Sequence, residues 1–283
     1  VLVEVRAAGV NPIDYKLYRG GPGADPSKLP MRLGFEVAGV VVEARDGALD
    51  GPLREGDEVI AYPVGGAYAS ALVTAAANVV HKPANIGFEE ASGLMLAGVT
   101  AVHALHAVKA GPGDTLLVHG ASGGVGLMVV QLAVKDGVQV IATASEANHQ
   151  RLRELGAEPV SYGDGLLQRA RSLAPGGADA AIDIAGTGEA IDTSLALVAD
   201  RGRIATLVAF ERAQATGIKA LGGGPGADPG SDIRAAARLQ LARLAGDGRL
   251  RVFLAATYPL AHAGAAHQAL ASGRAHGKVA LVP

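Results

Sequence analysis

The chain has no cysteine and no tryptophan, only 3 methionines, and aromatic residues make up 4% of its 283 positions. Without a thiol it forms no disulfide, no thiolate nucleophile and no cysteine-bearing zinc site, which leaves His, Asp and Glu as possible metal ligands. No apolar run approaches the ~20 residues a membrane-spanning helix requires. A formal net charge of -2 provides no broad attraction for nucleic acid or an anionic membrane surface. Small molecules are therefore the expected partners, and a reducing, cytoplasmic setting is the expected location. Internal repeats, heptads and low-complexity tracts are also missing. Val1-Leu2-Val3-Glu4-Val5 reads as a strand already under way, so the natural start is expected further upstream.

What remains is an ordinary foldable composition, 49% hydrophobic and 18% charged, with 40 glycines to serve tight turns. The length exceeds what one hydrophobic core usually organises, so two domains with a cleft between them are expected. Up to about Ala97 the pattern is that of β structure, with β-branched runs at Val37 to Glu43 and Glu58 to Ala61 separated by turn-rich stretches. From Gly98 apolar strands alternate with helix-period segments, the grammar of a parallel sheet with crossover helices. Strands are expected at Thr115 to Val118, Val138 to Thr143, Glu158 to Val160, Ala178 to Ile184 and Arg203 to Val208. Helices are expected to begin near Gly124, Asn148, Leu166 and Glu189. Leu221 to Asp232, rich in Gly and Pro, reads as a connector before a helix at Ile233 to Ala245. Val252-Phe253-Leu254 and Lys278 to Val282 read as strands that return to the first domain.

The most informative motif is Thr115-Leu-Leu-Val-His119-Gly120-Ala121-Ser122-Gly123-Gly124-Val125-Gly126, a strand, a glycine turn and a helix start. Read as Ala121-x-Gly123-x-x-Gly126, it is a dinucleotide fingerprint with Ala in place of the first Gly. Gly123 allows backbone to approach a pyrophosphate, and Gly126 allows close helix-to-strand packing. The helix N-terminus adds amide donors for the anion. A tight turn without a ligand would need the same glycines, but the flanking strand and helix favour binding.

The second strand is expected to end at Ala144-Ser145, where an NAD enzyme usually offers an acid to the ribose hydroxyls. A small hydroxyl at Ser145 leaves room for a 2′-phosphate, with His149, Arg151 and Arg153 as candidate countercharges. NADPH is the expected cofactor. Glu146 opposes it, since a one-position shift of the strand end would make it a ribose-binding acid. Each arginine alone also fits a solvated helix face. The 8 histidines show no metal or triad spacing, and His103 and His106, three apart on an expected helix, read as packing or solvated residues.

Taken with Ala8-Gly-Val-Asn11-Pro12-Ile-Asp14, Leu33-Gly34-Phe35-Glu36-Val-Ala-Gly39, Gly56-Asp57-Glu-Val59, Gly66-Ala-Tyr68-Ala69, Gly98-Val-Thr100-Ala101, Asp179-Ala-Ala-Ile-Asp183-Ile-Ala-Gly186 and Gly273-Arg274-Ala-His276-Gly277-Lys278-Val279, the chain resembles a known family over nearly its whole length. It is the zinc-independent, quinone oxidoreductase-like branch of the medium-chain dehydrogenase/reductase superfamily, which includes the zeta-crystallins. The resemblance implies an α/β fold, with a GroES-like β-rich catalytic domain (1–97 and 233–283) and a doubly wound Rossmann domain (98–232). It also implies a homodimer and a missing start of a few tens of residues. It places Asn11 and Thr100 near the nicotinamide, Ser122, Gly123, Gly124, Val125 and Gly126 on the pyrophosphate, and Tyr162 with Arg274 near the adenosine phosphate. Lys278 is a further cofactor-side candidate.

Two departures bear on chemistry. Phe35 stands where zinc-dependent relatives carry His within Gly-His-Glu, and no Cys is present to complete a zinc site, so no metal is expected. Lys16 stands where some quinone reductases have Tyr, with Tyr15 beside it, and these two are the candidate donors to the acceptor oxygen. Without zinc, a reduced nicotinamide needs an acceptor that is already electrophilic, such as a quinone or an α,β-unsaturated carbonyl. Alternatives are an enoyl-thioester reductase and a non-catalytic NADPH-binding or structural protein.

Overall fold

The computed structural model describes residues 1–20, 25–45, 47–273 and 275–283. The chain divides into two compact units, Val1–Val99 with Ala235–Pro283, and Thr100–Arg234. The expectation for Arg274 falls outside the described residues. The first unit opens with β1 (Leu2–Val10), β2 (Val37–Glu43), β3 (Glu58–Ala61), β4 (Ala71–Val73) and β5 (Val79–His81). The second holds β6 (Thr115–His119), β7 (Gln139–Thr143), β8 (Glu158–Val160), β9 (Ala180–Asp183), β10 (Ile204–Thr206) and β11 (Lys219–Ala220). The chain then returns to the first unit as β12 (Leu254–Pro259) and β13 (Lys278–Val282).

Among the described residues, the sheet of the first unit runs β12-β13-β1-β2-β3-β5, with β4 also paired to β1. Strand β1 lies inside it. Its first half alternates, Val3 and Val5 inward with Glu4 and Arg6 outward, while Ala7 to Val10 are buried on both faces. Val3, Val10, Val37, Val41, Val59 and Leu281 form much of the core beneath, each worth roughly 1.5–3 kcal/mol when removed from water. Register does the positioning. Val10 faces Val279 on antiparallel β13, and Ala8 faces Val37 on β2. The adjoining residues Asn11, Lys278 and Glu36 are therefore delivered to one end of three neighbouring strands. The expected strand at Val252 begins instead at Leu254, because the ladder of β12 starts opposite Lys278, the first residue of β13.

The second unit is a parallel sheet of order β11-β10-β9-β6-β7-β8. The chain order reverses between β6 and β9, which makes the carboxyl ends of those strands the switch point of a doubly wound fold. Strands β9 and β10 end earlier than expected, and one side-chain network explains both ends. The Asp183 carboxylate accepts the amides of Ala185 and Gly186 at 3.0 and 2.9 Å, turning the chain out of β9. Thr206 donates to Asp183 Oδ2 at 2.6 Å while accepting from Val208 and Ala209, which ends β10. Leu221 to Asp232, expected to be a connector, folds back within this unit, with Gly222 bonded to the Asp228 carbonyl and Asp228 to that of Ala220. It leads into the helix Ser231–Gly246. Among the described residues no helix is long and apolar enough to cross a membrane.

Candidate functional site

At the switch point, Leu116 to Val118 of β6 are fully buried and the chain turns at Gly120, whose φ of +74° lies in the left-handed region. That conformation favours glycine over any residue with a Cβ, and it accounts for Ala121 standing where the fingerprint usually has its first Gly. The turn is tied down by Gly120 donating to Thr143 Oγ1 at 3.3 Å and Ala121 donating to the Thr143 carbonyl at 3.1 Å. His119 completes the anchor: Thr143 and Ser194 lie 3.4 and 3.1 Å from its two ring nitrogens. Burial pushes this imidazole down to about 4, so it is neutral at physiological pH.

The helix Gly124–Lys135 starts at Gly123, and no side chain caps it. A Cβ built at Gly123 meets only the Gly120 carbonyl, at 3.5 Å, so the surface over the turn is open there. A Cβ at Gly126 would lie 2.4 Å from the Gly120 oxygen and 2.6 Å from Ala121 Cα, which requires glycine for packing. An uncapped helix start beside an open glycine turn fits a diphosphate. A cavity of about 160 Å³ adjoins it, lined by His119, Ser122, Thr143, Ala144, Tyr162 and Leu166 among others. Tyr162 is exposed at its rim.

Strand β7 ends at Thr143, two residues before Ser145, and Glu146 opens a short 3-10 turn on the exposed side. Ser145 Oγ accepts from Asn148 at 2.9 Å, and His149 Nε2 lies 3.2 Å from the Ala144 carbonyl. Arg151 is half-buried and Arg153 exposed on the helix His149–Glu154. Thr100 is buried on the helix Met95–Ala107.

In the first unit, Asn11 and Lys278 come together with a partner the sequence reading did not assign. Glu36 is wholly buried, accepting from Lys278 Nζ and Asn11 Nδ2 at 2.9 Å each through Oε1, and from the Leu96 amide at 2.8 Å through Oε2. Lys278 also donates to Asn11 Oδ1 and to the Val10 carbonyl. Its ammonium is thus engaged in a buried ion pair and bonded to the Asn11 amide oxygen. Burying either group without the other would be costly. Only the strand register, not any local motif, signals the pairing.

Asp14 caps the helix Pro12–Tyr18, its Oδ2 accepting from the Asn11 amide at 2.7 Å and from Tyr68 Oη at 2.9 Å. Burial raises its carboxyl to about 6, against the lowering effects of the Asn11 amide, the Tyr68 hydroxyl and Lys278. On the same helix Tyr15 and Lys16 are half-buried, so burial raises the phenol and lowers the ammonium. Tyr15 lies with its ring centroid 6.2 Å from that of His267, a residue absent from the sequence candidates. Among the described residues no group of three or more His, Asp or Glu is placed to hold a metal.

A β-rich unit closed by its own C-terminal strands and a doubly wound unit with an open glycine turn at its switch point make up the architecture of a two-part α/β protein. Residues 1–112 match the family described as alcohol dehydrogenase GroES-like domain, and residues 155–281 that described as zinc-binding dehydrogenase. The chain is 35% identical over 304 aligned positions to a quinone oxidoreductase of Pseudomonas aeruginosa, spanning 100% of this chain and 91% of that protein. It is 38% identical over 169 positions to an NADPH-dependent alkenal/one oxidoreductase of Arabidopsis thaliana, covering 56% of this chain and 43% of that one. Among solved structures, an NAD-dependent alcohol dehydrogenase superposes with a TM-score of 0.85 at 29% identity, covering 100% of this chain and 91% of the other. A mycobacterial protein complexed with NADPH superposes with a TM-score of 0.84 at 31% identity and the same coverage. The chain belongs to the quinone oxidoreductase-like, zeta-crystallin-like branch of the medium-chain dehydrogenase/reductase superfamily, and it is a quinone-reductase-like oxidoreductase.

Proposed function

We propose that this chain is an NADPH-dependent reductase that needs no metal and acts on quinones or α,β-unsaturated carbonyls. The observation that carries the reading is the uncapped, glycine-open turn from Gly120 to Gly126 at the switch point of the parallel sheet. When bound, the reduced nicotinamide supplies the hydride. Ser122 to Gly126 would hold the diphosphate, and Ser145, His149 and Arg151 the 2′-phosphate, with Tyr162 against the adenosine. The placement of Ser145 beyond β7, and of Glu146 on an exposed turn, supports NADPH over NADH. The nicotinamide end is assigned to Asn11 and Thr100, and Tyr15 and Lys16 are the proposed donors to the acceptor oxygen. A half-buried donor stabilises developing negative charge more strongly than one in bulk water. Independence from metal rests on the missing cysteines and on Phe35 within the Leu33–Val37 motif. A homodimer in the cytoplasm completes the proposal.

Titration of the protein with NADPH and with NADH, followed by 1,4-benzoquinone, 9,10-phenanthrenequinone or a short alkenal, tests cofactor and acceptor together. The expected result is tighter NADPH binding and acceptor-dependent loss of reduced nicotinamide absorbance that survives EDTA. Tighter NADH binding would overturn the cofactor assignment. Binding without turnover would transfer the case to an enoyl thioester or to a non-catalytic role. Light scattering that finds a monomer at micromolar concentration would remove the dimer.

A further inference from the structure

The cavity beside the glycine turn has an acid in its wall. Small and apolar side chains make up much of the lining, Ala144, Leu166 and Ala190 among them, with Tyr162 at the rim and Glu189 on one side. Glu189 belongs to the first turn of the helix Gly188–Leu197 and is half-buried. Its Oε2 accepts the Gly163 amide at 2.9 Å, which ties the helix to the segment that follows β8. Among the described residues no donor lies against Oε1. A helix start favours an acid in its first turn, and that alone would explain Glu189 on an empty surface. Here the acid faces a site meant for a dinucleotide, which brings several negative charges of its own, and like charges repel. A carboxylate in that wall is favourable only where the bound molecule turns a hydrogen-bond donor towards it.

Size and connectivity say which part of the dinucleotide that is. At about 160 Å³ the cavity is well below the roughly 300–1,000 Å³ of a site that encloses a whole drug-sized ligand, so it takes one ring system. The diphosphate is assigned to the turn from Gly120 to Gly126 and the 2′-phosphate to Ser145, the residue after the cavity's Ala144. The base carried by that same ribose then falls in the cavity. The ring nitrogens on the edges of adenine are acceptors, and its exocyclic N6 amine is its donor. We propose that Glu189 selects the base of the cofactor by accepting from N6–H through Oε1, and so distinguishes a 6-amino purine from a 6-oxo purine; the proposal rests on the cofactor reading above. A hydrogen bond to a charged acceptor is of the stronger kind. A 6-oxo base puts a carbonyl oxygen where the amine was, which leaves the carboxylate unpaired and facing a lone pair. Hydroxyl groups in the lining donate as readily as they accept and suit either base, so the choice falls to Glu189.

The test uses the whole chain and needs no turnover. NADPH and its deamino analogue, in which hypoxanthine replaces adenine, are titrated separately, with binding followed by nicotinamide fluorescence. We expect the wild type to bind NADPH at least ten-fold more tightly than the analogue, about 1.4 kcal/mol. Equal affinity would overturn the role of Glu189 and leave the phosphate assignments standing. Glu189→Gln supplies a second arm. The Gly163 amide needs an acceptor, so the glutamine oxygen stays with it and the NH2 group turns to the base, where it can donate to O6 but meets N6–H donor to donor. The ratio of NADPH to deamino-NADPH affinity should therefore fall at least ten-fold from its wild-type value. A merely structural Glu189 would weaken both cofactors alike, and an unchanged ratio in the variant would overturn the proposal. Failure of the wild type to bind NADPH, NADH or the deamino form would bring down the cofactor reading itself, and the base assignment with it.

Discussion

Two glycines of the turn proposed to hold the diphosphate, Gly123 and Gly126, should fail in different ways when each is replaced by alanine. At Gly126 the added methyl must occupy a point 2.4 Å from the Gly120 carbonyl oxygen and 2.7 Å from the Ala121 carbonyl carbon. Ordinary contact begins a full ångström further out, and the opposing atoms are backbone on a turn already bonded to Thr143, so they cannot rotate aside. Overpacking of this kind costs typically about 1–3 kcal/mol, and the upper end applies where backbone must move. At about 2–4 °C per kcal/mol for a chain approaching this size, Gly126→Ala should lower the melting temperature by roughly 6–12 °C. At Gly123 the new methyl finds a single neighbour at 3.5 Å, and a φ of -78° is open to alanine. Losing a glycine N-cap costs at most about 1 kcal/mol, so Gly123→Ala should melt within a few degrees of wild type while crowding the diphosphate. Differential scanning calorimetry without cofactor and fluorescence titration with NADPH separate the two effects. We expect Gly123→Ala to weaken NADPH binding at least ten-fold. A wild-type melting point for Gly126→Ala would refute the packing argument, and wild-type affinity for Gly123→Ala would mean that the cofactor does not lie on this turn.

Lys278→Met leaves the Glu36 carboxylate buried without its counter-ion and should cost about 3–5 kcal/mol in urea unfolding. Adding Glu36→Gln should recover a large part of the loss, and equal instability of the double variant would argue against the ion pair. On folding, burial raises the Asp14 carboxyl from its ordinary 3.8 to about 6. The folded chain therefore binds the proton more tightly, and stability falls as pH rises from about 4 to about 6, by roughly 3 kcal/mol. The wild-type minus Asp14→Asn difference in unfolding free energy should follow that slope, whereas a flat difference would place the carboxyl in water. Ser145→Asp puts a carboxylate where the 2′-phosphate is proposed to sit. The ratio of NADH to NADPH affinity should rise at least ten-fold, about 1.4 kcal/mol, and an unchanged ratio would remove Ser145 from the cofactor site.

How much could be read in advance follows from the range of the interactions involved. The glycine turn is legible because strand, turn and helix start lie within about twenty consecutive residues, and each carries a local requirement. Even there the left-handed residue is Gly120 rather than a member of the fingerprint, since a motif records residue types and not dihedral angles. Strands β9 and β10 were expected to run longer because Ile184 and Val208 continue their apolar runs. Asp183 and Thr206 end them by diverting backbone amides to side-chain oxygens, a competition that hydrophobic pattern does not register.

The polar interior of the first unit was the least legible part, and the reason is distance along the chain. Glu36 and Lys278 are separated by 242 positions, Tyr68 and His267 by 199, and Tyr18 and His267 by 249. Each residue alone has an unremarkable reading as a solvated or packing side chain. Their meaning arises only when β13 returns to pair with β1 and the helix Ala263–Ala271 comes down beside the helix Pro12–Tyr18. Burial then changes their chemistry: the same Asp14 that would be a permanent carboxylate at a surface becomes a group that takes and releases a proton near pH 6. The fold thus makes a titrating site out of residues that have no such property in the unfolded chain, and it does so at the end of β1 where the Asn11 amide is also held in one orientation.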